Sequence, residues 1–133
     1  MLRLVAIAIF GLMLLAEAGD IYGLVLTLAN PEPTADQFGI ATGTEVVRSS
    51  VLLIFALVVA GGALLAVVGL LARMPVLFHR SALACAVGYL VYGLFQVAGG
   101  ALQVGAGTVV VAGLIYMVLG GIAYAMHRSA SSG

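Results

Sequence analysis

The chain has 133 residues, of which 64% are hydrophobic and 8% charged, and its formal net charge is zero. A soluble domain ordinarily carries about 25% charged residues, so a separate water-soluble domain does not fit here. A neutral chain without a basic tract is also no partner for nucleic acid.

Four apolar stretches fill the sequence, at Leu4–Ala29, Val46–Ala72, Val76–Gln103 and Val109–Met126. Each is long enough to cross a hydrocarbon layer of about 30 Å at 1.5 Å per residue. The expected architecture is all-α, one transmembrane unit over 1–133 built as a four-helix bundle with a single outer loop at 30–45. A rival reading concerns the first span. Met1–Arg3 has the form of a basic leader, Leu4–Leu15 of its apolar core, and Ala16-Glu17-Ala18 of a cleavage site. Cleavage there would leave three spans, but apolar residues resume at Ile21 and run to Ala29, which favours an uncleaved helix.

Span one is expected to stop at Asn30-Pro31, because proline cannot continue the helical hydrogen-bond ladder. Pro31-Glu32-Pro33-Thr34 reads as a stiff turn, and Ala35–Thr44 as a loop with a short interfacial helix. Thr44 is a candidate N-cap for span two, with Glu45 at its first helical position. Span two is expected to end near Arg73, with Pro75 opening span three. His79 and Arg80 then fall at headgroup level. A glycine-rich patch from Gly99 to Gly107 separates spans three and four, Thr108 is a candidate cap, and Ser129–Gly133 reads as a polar tail without structure.

Eighteen glycines matter because lipid gives helices no hydrophobic reason to associate, and small residues let backbones approach. Gly19/Gly23, Gly62/Ala66/Gly69 and Ala112/Tyr116/Gly120 are the expected seams. Cys85 is the sole cysteine; no intrachain disulfide is possible, and in an apolar run it acts as a small hydrophobe.

The arginines set an expected orientation. Arg3, Arg73, Arg80 and Arg128 fall on one side of the four spans, while Glu32, Asp36 and Glu45 fall on the other. Positive residues in short loops remain cytoplasmic, so both termini are expected inside, in a bacterial cytoplasmic (inner) membrane. Arg48 breaks this pattern. Glu17 and Asp20 lie on one face of span one, about 20 and 25 Å along it from Arg3, where an unpaired charge costs about 3 kcal/mol. Arg48, at the same depth, is their expected partner. Gln96 and Gln103, on one face of span three, reach that level too. Glu17, Asp20, Arg48, Gln96 and Gln103 therefore form a candidate polar pocket open to the outer side; the alternative is a structural ion pair that only fixes helix register. Tyr22 and Tyr124 read as interfacial aromatics, whereas Tyr89, Tyr92 and Tyr116 sit deeper and need hydroxyl partners.

No haem or copper histidine pattern, cysteine pair, Ser/His/Asp set or phosphate loop is present, so neither cofactor, metal nor catalysis is expected. The Met1-Leu2-Arg3-Leu4 entry, Phe38-Gly39 after the outer loop, Arg48 opening span two and the short Arg73–Arg80 inner turn together resemble the DoxX-like group of small four-span bacterial membrane proteins. That resemblance implies a four-span bundle, in some members an accessory subunit beside membrane oxidoreductases, and it carries over no functional residue. The expected role is a small non-enzymatic membrane protein, partnered by the bilayer and by other membrane subunits or its own copies. The rival is a small-solute or proton-linked transporter that uses the outer pocket.

Overall fold

A computed structural model describes residues 2–99 and 107–131, and the described residues form five helices and no strand. They are α1 (Leu2–Ala29), α2 (Glu32–Phe38), α3 (Thr42–Leu71), α4 (Pro75–Ala98) and α5 (Gly107–Ser131). Four of them, all but α2, are long and apolar enough to cross a membrane. Their outward faces agree with that: Leu12, Leu15, Ile54 and Val118 are each at least 60% exposed. Holding one such side chain in water instead of an apolar medium costs about 2 kcal/mol, and soluble monomers rarely expose apolar surface on this scale.

The long helices run up and down in chain order. α1 packs on α3, α3 on α4 and α4 on α5, while α1 and α5 barely touch. The start of α1 and the end of α5 thus lie at one end of the bundle and α2 at the other. Phe10, Val59, Ala63, Phe78, Cys85 and Tyr89 fill the core nearer the termini. Leu52, Ala56 and Tyr92 fill a smaller one towards α2.

The connections follow from local chemistry, with some departures from the expected boundaries. Pro31 and Pro33 do not make a turn; they stand at the start of α2, where the missing amide would have had no helical partner anyway. Gly39 ends α2 with φ +68°. That left-handed step lets the Gly39 and Ile40 amides donate to the Asp36 and Ala35 carbonyls at 3.2 and 3.0 Å, as such helix ends usually do. α3 begins at Thr42 with Ala41 as its N-cap, so Thr44 lies inside the first turn and caps nothing. Pro75 opens α4 as expected. At the other end of the chain α5 starts at Gly107 and continues to Ser131. Thr108 is thus inside that helix, and Ser129 is helical where an unstructured tail was expected.

Close backbone approach holds the bundle together. A Cβ on Gly62 would lie 3.1 Å from the Cys85 amide nitrogen, and one on Gly69 2.8 Å from that of Phe78, which is the expected α3 seam. The tightest contact involves a pair that the sequence pattern did not single out. A Cβ on Gly93 would sit 2.6 Å from the Gly113 carbonyl oxygen, and one on Gly113 would sit 2.7 Å from that of Gly93. Gly19 and Gly23, by contrast, have nothing within 4 Å of a built Cβ. They are no seam here, because α5 stands away from α1.

Gly113→Ala is expected to destabilise the bundle by about 2 kcal/mol, since the added methyl meets backbone that cannot step aside. Gly121→Ala, where nothing lies within 4 Å, should be neutral or slightly stabilising. Thermal unfolding of the two variants in mild detergent checks the contrast.

Candidate functional site

At the α2 end the parting of α1 from α5 leaves a cavity of about 380 Å³. Asp20 reaches it from α1, Arg48 from α3, Tyr92 and Gln96 from α4, and Tyr116 from α5. Gly19 and Gly23 form part of its α1 wall; their lack of side chains widens it. Three of the expected site residues, Asp20, Arg48 and Gln96, therefore meet around one space. Gln103 lies outside the described residues. Glu17 lies one helical turn from Asp20, beside Tyr89, in the bundle interior.

The ion pairing differs from the expected one. Arg48 does not bridge to Asp20 or Glu17. It is held by Glu45, one turn earlier on its own helix, with Nε to Oε2 at 3.0 Å and Nη2 to Oε1 at 3.2 Å. The Ser49 hydroxyl donates to the same carboxylate at 2.7 Å, and the Phe38 ring of α2 lies 5.0 Å from the guanidinium carbon. The physical reason is proximity on one helix: within α3, Glu45, Arg48 and Ser49 share a face at i, i+3 and i+4, so the nearest carboxylate to Arg48 is on its own helix. Glu45 is fully buried and Arg48 nearly so. An isolated charge there would be costly, but a two-point pair compensates it.

Asp20 is matched differently. The Tyr116 hydroxyl donates to its carboxylate across the α1–α5 seam. Tyr116 in turn packs its ring on Tyr92 with centroids 4.3 Å apart and on Tyr89 at 5.9 Å. Tyr92 and Tyr116 are both lining residues that sequence reasoning left out of the pocket, and Tyr116 is the one that bonds to Asp20. Its deep position and its need for a hydroxyl partner were visible, but nothing in the spacing indicated which helix would supply that partner.

Glu17 has no such match. It is fully buried, and neither of its carboxylate oxygens has a hydrogen-bond partner. The Tyr89 hydroxyl and Gln96 Oε1 are also buried without one. With Arg48 engaged by Glu45, no cation among the described residues pairs with Glu17 or Asp20. Glu17 and the Tyr89 hydroxyl thus stand side by side without a hydrogen bond of normal geometry between them, and the two carboxyls of α1 have no cation of their own. Among the described residues no three His, Cys, Asp or Glu side chains are grouped to hold a metal ion. No family model, no curated protein and no solved structure matches the chain.

Arg48→Ala is expected to cost about 3 kcal/mol, because it strands the buried Glu45 carboxylate. Adding Glu45→Gln should recover most of that loss. Asp20→Asn keeps an acceptor for Tyr116 and should cost under about 1 kcal/mol. Chemical unfolding of the variants in detergent micelles, fitted as a double-mutant cycle, gives the three values.

Proposed function

We propose that the chain is a small, non-enzymatic integral membrane protein. Its pocket at the α2 end binds a small cationic or hydrogen-bond-donating solute. In this reading both termini face the cytoplasm of a bacterial inner membrane, following the arginine asymmetry, and the pocket faces outward. One observation carries the proposal: Glu17 is a fully buried carboxyl one turn behind Asp20, with no cation paired to either and no hydrogen bond of normal geometry even to the Tyr89 hydroxyl beside it. Buried polar groups are normally satisfied, and ionisable groups inside a membrane mark ligand or ion pathways by default. The positive charge that Glu17 and Asp20 lack, with Arg48 paired to Glu45, is the chemistry that an incoming solute would bring. Binding from that side is also the first step of a carrier for such a solute.

A second reading has its own support. The Gly19–Gly23 face of α1 is exposed and uncovered, and small residues on an open helix face suit contact with another span. An accessory subunit, the role suggested by the DoxX-like layout, would use that face against a larger partner.

Thermal unfolding of the purified chain, with methylammonium or choline chloride set against equal sodium chloride, tests the first reading. Saturable stabilisation is expected, reaching about 2.7 kcal/mol at a hundredfold excess over Kd, and Asp20→Asn should abolish it. An equal response in wild type and Asp20→Asn contradicts the pocket. Recovery of the chain only in complex with a larger membrane subunit, and unfolding without it, supports the second reading instead.

A further inference from the structure

The opposite end of the bundle carries a second cavity, of about 480 Å³, with a contrasting character. Arg3, Arg73 and His79 line it together with the apolar Leu70, Met74 and Phe78. No carboxylate stands there among the described residues. The acidic side chain nearest along α1 is Glu17, fourteen residues and about 21 Å up the helix from Arg3. The cations are positioned by the fold. Arg3 donates through Nε to the Leu70 carbonyl at 2.9 Å and through Nη2 to that of Leu71 at 3.3 Å, which ties its guanidinium to the α3 terminus. Arg73 occupies the turn between α3 and α4 with φ 56°, the only positive φ on a residue other than glycine among those described. A left-handed step disfavours a residue with a side chain by about 1–2 kcal/mol, so the turn holds a guanidinium at a point where glycine would fit with less strain. His79 stands in the first turns of α4 with its ring 5.2 Å from that of His127.

We propose that this cavity binds the phosphate of an anionic phospholipid headgroup. The positive lining supplies the charge complement, and a guanidinium suits phosphate oxygens well. The apolar part of the lining, with Leu4, Leu71 and Val76 exposed beside it, favours a phosphate attached to acyl chains over a free ion. Basic pockets between spans at a membrane surface commonly receive such headgroups. The inference rests on the membrane placement proposed above and is independent of the pocket at the α2 end.

Native mass spectrometry of the full chain in nonionic detergent, titrated with phosphatidylglycerol or with phosphatidylcholine of the same acyl chains, tests it. The anionic lipid should bind at least about tenfold more tightly, and Arg73→Gln should weaken it about fivefold. Arg80→Gln, at an exposed arginine outside the cavity, should leave it unchanged. Arg73→Gly removes the same guanidinium while suiting the backbone of that turn, so it gives the answer if Arg73→Gln does not fold. Equal binding of the two lipids overturns the proposal, as does equal weakening by the Arg73 and Arg80 variants, which would mean diffuse surface charge alone. Displacement of phosphatidylglycerol by millimolar inorganic phosphate overturns the assignment to a lipid.

Discussion

A chain of 133 residues with only five carboxyl and five guanidinium side chains leaves little freedom in how charge is arranged, and the molecule is organised around that constraint. The one arginine at the α2 end is consumed locally by Glu45, in a buried two-point pair. That pairing has a consequence on the neighbouring helix. Asp20 must take its donor from Tyr116 on α5, and Glu17 takes none. A single buried ion pair therefore separates a self-satisfied cluster on α3 from two carboxyls on α1 that have no cation.

The same contrast appears in the packing. α3, α4 and α5 are joined through glycines that bring backbone against backbone, closest at Gly93 and Gly113. α1 leans mainly on α3, with Phe10 edge-on to Phe78 of α4, and leaves its seam with α5 nearly open. The α1 carboxyls lie along that seam. At the level of Asp20 the two helices are linked by a hydroxyl–carboxylate hydrogen bond instead of interlocking side chains. A seam made this way is the part of the bundle that a solute or a neighbouring span could part at the lowest cost. At the far end Arg3 and Arg73 line a cavity with no Asp or Glu among its described lining residues, so the bundle has a carboxyl-bearing end and a cationic end, and each cavity takes the character of its own end.

Much of this was legible in the residues. Hydropathy gave the four helices, Pro75 the start of α4, and Gly62 with Gly69 the α3–α4 seam. The gathering of Asp20, Arg48 and Gln96 followed from counting residues along antiparallel spans. What failed was finer. Thr44 looked like a cap because it precedes an apolar run, yet α3 starts at Thr42 with Ala41 as its N-cap. The i, i+3 spacing of Glu45 and Arg48 was present in the sequence, but it was outweighed by the assignment of Glu45 to the helix mouth. Gly19 and Gly23 have the spacing of a packing motif, and spacing alone does not say whether a partner helix arrives. Nor could it show that Tyr116, among three deep tyrosines, would be the one to meet Asp20.

The central claim is that the α2 end of the α1–α5 seam is a water-accessible, electronegative pocket in a membrane-embedded bundle. A cysteine placed at Gly23, in a Cys85→Ala background, reports on it directly through its rates of reaction with membrane-impermeant methanethiosulfonates of opposite charge. The account predicts modification from the α2 side alone, with the trimethylammonium reagent faster than the sulfonate by roughly tenfold at low salt. Equal rates for the two reagents, or no reaction from that side, would contradict it.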